Sequence, residues 1–336
     1  MKPVAQNINN SALLTVSGLE VHFTARSGFL TSLLSRETIR VRAVDGLDFN
    51  LARGEILCLA GESGSGKTTT GKAILRLVEP TGGDIFYNGE NVRQFNRSRL
   101  RRFRQDAQII FQDPYESLNP RQTVFSTVAE PLEVNRLTSS QGEKEERVAE
   151  ALSDAGLNNP RELFLRYPHE LSGGQRQRLA IAGGLVLKPH FIVADEPVSM
   201  LDLSIRAGIL KLMVDLRDQK GISYLFITHD LSLAWLVSDR IAIMYLGKIV
   251  ELGSADEVIK KPLHPYTRAL VSVIPVPKRI SLADKTLLKG ETPDPINIPT
   301  GCRFHPRCPI KQARCREEEP LYRQVEGGRF VACHFI

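Results

Sequence analysis

Only five of the 336 residues are cysteine and only one is tryptophan. No stretch approaches the roughly 18 to 20 consecutive apolar residues of a membrane-spanning helix, so any work at a membrane is expected from the side. The opening residues, MKPVAQNINNSALLTV, lack an unbroken apolar segment between a basic start and a small-residue cleavage site, and no secretory signal is expected. Charge of one sign is not in large surplus either. With 44 Lys and Arg against 38 Asp and Glu, the net charge of +6 fits an ordinary soluble surface better than a dedicated nucleic-acid or membrane-binding face. Internal repeats and low-complexity tracts are missing. What is present, 42% hydrophobic and 24% charged residues, is enough to bury a large core in one big domain or two smaller ones. Scarce cysteine makes its placement informative: four of the five fall between Cys302 and Cys333.

The first chemical signal is GEILCLAGESGSGKTTTGKAILRL. Glu55 to Ala60 is an apolar run of strand type, Gly61 to Thr68 matches G-x-x-x-x-G-K-[ST], and Thr69 to Leu77 has helical character. In such a strand, loop and helix the backbone N–H groups of Gly61, Glu62, Ser63, Gly64, Ser65, Gly66, Lys67, Thr68 and Thr69 curl around phosphate oxygens, aided by the helix N-terminus. Lys67 then reaches the β- and γ-phosphates, and the Thr68 hydroxyl holds Mg2+.

Hydrolysis of a triphosphate needs a second strand that carries a carboxylate to the metal. HFIVADEPVSMLD supplies one, with Asp195 at the end of an apolar strand and Glu196 directly after it. Asp195 is suited to hold Mg2+, and Glu196 to act as general base on the attacking water.

Between these strands lies YPHELSGGQRQRLAIAGGL, whose LSGGQ, Leu171 to Gln175, resembles the signature motif of ABC-type ATPases. The resemblance runs along most of the chain. Gln112 in IIFQDP resembles the Q-loop glutamine, Ser199 to Asp202 the D-loop, and His229 in FITHD the switch histidine. It implies an α/β P-loop NTPase (RecA-like) core with an N-terminal antiparallel β subdomain and an inserted helical subdomain. It also implies ATP and Mg2+ as ligands, with His229 helping Glu196 place the water and Gln112 linking the metal to the helical subdomain. Ser172, Gly173, Gly174 and Gln175 would complete a partner's ATP site, since one nucleotide does not need two anion cradles in one subunit. Phe23 stands roughly where the family stacks adenine. The same residue suits a core strand, and Phe29 is the alternative. Two departures occur: Gly183-Gly184 replaces the usual Ala-Arg pair, making the helix softer or closely packed, and Met200 replaces a D-loop alanine.

The pattern reads as a nucleotide-binding domain over residues 11–255, its helical subdomain at about 113–186, followed by a proline-rich, irregular extension over 256–336. Asn88-Gly89 marks a hairpin and Gly247-Lys248 another turn. Five arginines between Arg97 and Arg104 read as a solvated helix face. DPYESLNPRQTV, HPYTRALVSVIP and GCRFHPRCP resemble hallmarks of ATP-binding subunits of oligopeptide and dipeptide importers, a branch that also serves oligosaccharides and nickel. That implies a peripheral protein on the cytoplasmic face of the membrane. Its expected partners are a second ABC ATPase, two permeases and an extracytoplasmic substrate-binding protein, with no nucleic acid. The alternative is a soluble ABC ATPase acting on nucleic acid or the ribosome, although this chain has neither two fused ATPase domains nor a long coiled coil.

A chain that uses cellular ATP works in a reducing compartment, where stable disulfides are rare. Cys302, Cys308, Cys315 and Cys333 therefore read as a metal site. Their spacings fit neither the usual zinc ribbon nor the ferredoxin run, so zinc and iron–sulfur stay open from the residues themselves. The importer resemblance implies a 4Fe-4S cluster. His305 and His334, in the same tail, are the candidate substitute ligands. Cys58 reads as core packing.

Overall fold

The computed structural model describes residues 12–26, 38–113, 118–274, 290 and 293–336. Phe29 and most of the segment expected to join the first two strands lie outside them. The chain forms two compact units: one from the N-terminal 52 residues, Ile56–Gln94 and Phe226–Ile336, the other from Arg53–Glu55 and Phe95–Leu225.

The first unit contains an antiparallel sheet in the spatial order Thr38–Ala52, Ala12–Arg26, Gly82–Tyr87, Glu90–Asn91. Its last hairpin turns at Asn88 and Gly89, both with positive φ, as a two-residue turn between twisted strands requires. In the same unit the strand Ile56–Ala60 runs parallel to Arg240–Tyr245, and Lys248–Ser254 pairs antiparallel on the latter's other edge. All five side chains of Ile56–Ala60 are buried, which explains why its sequence is a continuous apolar run rather than an alternation. Cys58 is among them, and burial pushes its thiol well above the ordinary range. The turn before Lys248 falls at Leu246-Gly247, one residue earlier than the glycine-lysine pair suggests, because both positive-φ residues sit there.

The segment after Ala255 is less irregular than its prolines imply. Ala255–Lys260 and Pro265–Ser272 are helices, the second opening with proline at its first position, where a missing N–H costs nothing. Beyond 292 the described chain holds a short helix, Arg314–Glu317, a 3-10 turn, Glu326–Gly328, and two two-residue strands, of which Phe330–Val331 pairs with Lys248–Ser254.

In the second unit the strands Ala107–Ile110 and Phe191–Asp195 pair in parallel. Helices Val124–Asn135, Gln141–Asp154, Pro160–Leu163 and Gly173–Leu185 make the helical subdomain, and Leu203–Lys220 follows the acid-bearing strand. Thr123 and Ser140 cap their helices by accepting from the N–H three residues on. The arginine run forms the helix Arg97–Asp106, whose only buried residue is Phe103, so this is a solvated face. Gly183 and Gly184 lie inside Gly173–Leu185. A side chain would meet nothing at Gly183 and only ordinary contact with Gln108 at Gly184, so close packing does not explain the pair.

Candidate nucleotide site

In the first unit, the buried strand Ile56–Ala60 delivers the chain into the loop 61–66, and the helix Lys67–Ile74 leaves it. Gly66, the residue before that helix, has φ 103°. A Cβ there would sit 2.1 Å from the Ala43 carbonyl oxygen, and one at Gly61 2.2 Å from that of Met244. Both collisions are with backbone, which cannot step aside, so only glycine lets the loop pass. Lys67 is buried. Its Nζ donates to the Gly61 and Glu62 carbonyls at 2.8 Å each and to Ser65 Oγ at 3.3 Å. Ser63 and Gly64 are exposed at the loop's crest, and Thr68 lies in the first helical turn.

His229 follows the strand Ser223–Thr228 and is exposed. It is held by a tight corner on its C-terminal side. The Asp230 N–H donates to Thr228 Oγ1 at 3.0 Å, while Asp230 Oδ1 accepts from the N–H of Ser232 at 2.8 Å and caps the helix Leu231–Val237. Phe23 is 44% exposed and pairs in register with Val41. Its exposure removes the core-strand reading and leaves the ring available for stacking.

Two groups that sequence reasoning passed over hold the loop from outside. Arg307 forms a two-pronged ion pair with Glu62, Nη1 to Oε2 at 2.7 Å and Nη2 to Oε1 at 3.1 Å. Burial alone would lower the guanidinium's pKa, but the hydrogen bonds and charge of Glu62 raise it, so it stays fully charged. Tyr266 Oη accepts from the Glu62 N–H at 3.0 Å. HPYT and HPRC were legible as hallmarks, but nothing in their spacing points at a residue more than two hundred positions earlier.

Tyr266 is itself fixed from below. Fully buried Glu251 accepts from the N–H groups of Leu263 and His264, at 2.9 and 2.8 Å, and is paired with Arg329. His264 Nδ1 accepts from the Tyr266 N–H at 3.1 Å and caps the helix Pro265–Ser272. That bond needs an unprotonated Nδ1. Burial, assisted by the charge of Arg268, lowers the imidazole pKa to about 3 and keeps it neutral.

The second unit carries the acids and the signature. Asp195 ends its strand 4% exposed, and Glu196 turns away with φ 47° and accepts from Gln112 Nε2 at 3.1 Å through Oε2. Left-handed backbone at a glutamate is uncommon and marks a position fixed by its surroundings. Here the Ser199 N–H and hydroxyl both donate to the Glu196 carbonyl, at 3.2 and 3.1 Å. Ser172 and Gln175 form a reciprocal cap: the Ser172 N–H donates to Gln175 Oε1 at 2.9 Å, and Ser172 Oγ accepts from the Gln175 N–H at 3.3 Å. Between them, a Cβ at Gly174 would meet Ile205 Cγ2 at 2.8 Å. Asp202 precedes the helix Leu203–Lys220 and is exposed, as are Met200 and Leu203, at 59% and 81%.

At the tail, Cys315 and Cys333 are buried and Cys302 and Cys308 half-buried. The Cys302 N–H donates to the Cys315 carbonyl at 2.9 Å. Burial pushes the Cys302 thiol up to about 11, and the nearby Cys315, Cys308 and Cys333 charges push the same way. Cys308 and Cys333 are also raised, again chiefly by burial. Among the described residues, no group of three or more His, Cys, Asp or Glu side chains is arranged to hold a metal ion. His305 and His334 bind backbone carbonyls instead, His305 Nδ1 that of Cys302 at 3.0 Å and His334 Nε2 that of Glu318 at 2.9 Å.

Comparison with known proteins places these features. The ABC transporter family matches residues 44–199, and the C-terminal region of oligopeptide/dipeptide transporters matches residues 250–315. The oligopeptide transport ATP-binding protein AppF of Bacillus subtilis is 44% identical over 329 residues, covering 97% of this chain and 98% of its own. This chain is an ABC transporter ATP-binding protein of the oligopeptide/dipeptide import family. The family ATPase also resembles the dipeptide transport ATP-binding protein DppF of Haemophilus influenzae, 42% identical over 97% of this chain and 98% of the relative. Among solved structures it matches cbiO1 of Clostridium perfringens, part of the ABC transporter complex cbiONQ, with a TM-score of 0.63 and 28% identity. That match spans 75% of this chain and 92% of the other. It also matches the ATP-binding cassette MJ0796 in a dimeric post-hydrolysis state with ADP and Pi, TM-score 0.61 and 28% identity over 72% and 98%. The fold is the ABC ATPase α/β fold with an antiparallel β subdomain and a helical subdomain, and the activity is ABC-type ATP hydrolysis coupled to transport. The soluble nucleic-acid or ribosomal reading gives way to this membership.

Proposed function

We propose that this chain hydrolyses ATP to drive peptide import, with residues 11–255 as the nucleotide-binding domain, about 113–186 as its helical subdomain and 256–336 as an extension. The observation that carries the reading is the glycine loop, closed against backbone carbonyls around a buried Lys67, in a chain whose relatives over nearly its whole length are peptide-transport ATPases. The loop's N–H groups and Lys67 bind the β- and γ-phosphates, Phe23 stacks on adenine, and Thr68, Gln112 and Asp195 hold Mg2+. Magnesium, when bound, offsets phosphate charge as it develops. Glu196 takes the proton of the attacking water, and its hydrogen bond from Gln112 aims the carboxylate. His229 stabilises the γ-phosphate from its fixed corner.

The protein is part of an oligopeptide-type ABC transporter complex. No helix among the described residues is long and apolar enough to cross a membrane. From its membership in the oligopeptide/dipeptide import family, our reading docks it on the cytoplasmic side beneath two permeases, with an extracytoplasmic binding protein supplying the peptide. A second, similar ATPase pairs with it head to tail, so that Ser172, Gly173, Gly174 and Gln175 cover the partner's nucleotide and Asp202 lies at the seam. Exposed Met200 and Leu203 beside Asp202 support a protein contact there. Exposed Leu165, at 84%, and Tyr167 on the helical subdomain suit a permease contact.

The four tail thiols have the donor set of a 4Fe-4S cluster, and binding one would draw them together. Such a group would cross-link a segment with little regular structure. Iron and acid-labile sulfide analysis of protein purified without oxygen tests this: about four irons per chain are expected, and stoichiometric zinc would overturn it.

Mass spectrometry of what co-purifies with the tagged chain from membranes in mild detergent tests the assembly. Two permeases and a second ATPase are expected. Recovery of ribosomal proteins without permeases would contradict the reading.

A further inference from the structure

A glutamate in the second position of a phosphate loop poses an electrostatic problem. An unscreened carboxylate beside a polyphosphate repels it, and the effect extends across a Debye length of roughly 8 to 10 Å. Glu62 is not left in that condition. Arg307 grips both carboxylate oxygens, with its own side chain 8% exposed and that of Glu62 26% exposed. Tyr266 simultaneously anchors the backbone of the same residue.

The gripping turn is rigid. Between Cys302 and Cys308 the His305 N–H donates to the Cys302 carbonyl at 2.9 Å, the Arg307 N–H to that of Phe304 at 3.0 Å, and the Cys308 N–H to that of His305 at 3.3 Å. Phe304 is 1% exposed, its ring edge-on to Tyr245 at 5.3 Å and 5.4 Å from Tyr266. The same turn takes a second hold. Arg303 donates to the Leu246 carbonyl and pairs with Asp45, while the Gly247 N–H donates to the Ser65 carbonyl at 2.9 Å. The loop is thus fixed at Glu62 directly and at Ser65 through one hairpin.

We propose that Arg307 and Tyr266 are positioning residues for nucleotide binding, and that the cysteine-bearing turn forms the outer wall of the phosphate site. Arg307 neutralises Glu62 and turns its carboxylate away from the phosphates. Tyr266 fixes the Gly61–Glu62 peptide unit, whose Gly61 carbonyl accepts from Lys67. The inference rests on Gly61–Thr68 being the phosphate loop.

The test is titration of the purified full-length chain with ADP and with ATP in Mg2+, the latter in the Glu196→Gln background so that it is not consumed. Arg307→Ala should weaken ADP binding about tenfold, as a like charge beside phosphate does at intermediate dielectric, and weaken ATP more than ADP. Arg307→Lys, which keeps the charge, should stay within about threefold. Adding Glu62→Gln to Arg307→Ala should restore most of the lost affinity, which a merely structural role for Arg307 would not allow. If Arg307→Ala does not fold, Arg307→Gln carries the same expectations, and Tyr266→Phe should lower affinity by a few-fold. ADP affinity within twofold of wild type for Arg307→Ala, or for Arg307→Gln in its place, or no rescue by Glu62→Gln, would overturn the proposal. Lys67→Ala separates the two failures. If it too binds normally, the phosphate-loop assignment is wrong; if it loses binding while Arg307→Ala does not, only the clamp is wrong.

Discussion

The phosphate loop and the signature loop are both glycine-rich segments at helix N-termini, yet they are stabilised in opposite ways. The phosphate loop is fixed at long range: carbonyls of Ala43 and Met244 close on its glycines, and Tyr266 and Arg307 hold it from the far end of the chain. The signature is self-contained. Its Ser172 and Gln175 cap one another, and a Cβ on Gly174 would meet Ile205 of the same unit. A loop that binds its own ligand gains from a rigid surround. One that serves a partner needs only to hold its shape while staying accessible.

If that contrast is right, damage should propagate differently from the two places. The largest effect is expected at the chemistry itself. Glu196→Gln should slow hydrolysis by about 10²- to 10⁴-fold, the usual worth of a positioned general base, with ATP still bound; phosphate release assays and nucleotide titration read the two quantities separately. Hydrolysis within a few-fold of wild type would remove Glu196 from the base role. Next comes Gly66→Ala. Its Cβ has nowhere to go at 2.1 Å from a backbone oxygen, and the φ of 103° strains any L-residue. Nucleotide affinity should fall about 100-fold or more, with the loss confined to the nucleotide site if thermal unfolding of the rest is unchanged.

Ser172→Ala should do the reverse. Loss of the cap costs about 1 kcal/mol of local helix stability. The isolated chain should bind ATP as wild type does, while hydrolysis by the assembled transporter drops. A matching loss of affinity in the isolated chain would erase the contrast.

The last effect concerns pH and leaves the chemistry untouched. His264 is held neutral by burial and by Arg268, its folded pKa of about 3 lying below the ordinary value near 6.5. The unfolded chain binds the extra proton first. Stability from this residue is therefore complete above about pH 6.5 and falls as pH drops toward 3, by about 1.4 kcal/mol per unit. Thermal melts between pH 7.5 and 5 should show the decline, and His264→Gln should flatten it. Because folded His264 stays neutral until about pH 3, its cap on the helix that carries Tyr266 should survive over that range, and nucleotide affinity should not change through this residue.

Contiguity decided what was legible. Strand, glycine loop and helix follow one another within twenty residues, so Lys67 and its surroundings were readable from local pattern. So was the acid pair after a buried strand, whereas the mutual cap of Ser172 and Gln175 came only with the structure. The helices after Ala255 were hidden by prolines, although Pro265 occupies the one helical position that favours it. The Arg307–Glu62 pair spans 245 positions, and no periodicity or spacing rule connects two such charges. Only the path of the folded chain brings them together. The Gly183-Gly184 pair has no structural account.

The most direct test of the central claim is peptide uptake into proteoliposomes holding the purified complex, followed together with ATP hydrolysis for wild type and Glu196→Gln. The account predicts that uptake and hydrolysis collapse together while the variant complex still assembles and binds ATP. Peptide uptake continuing at the wild-type rate with hydrolysis abolished would contradict it.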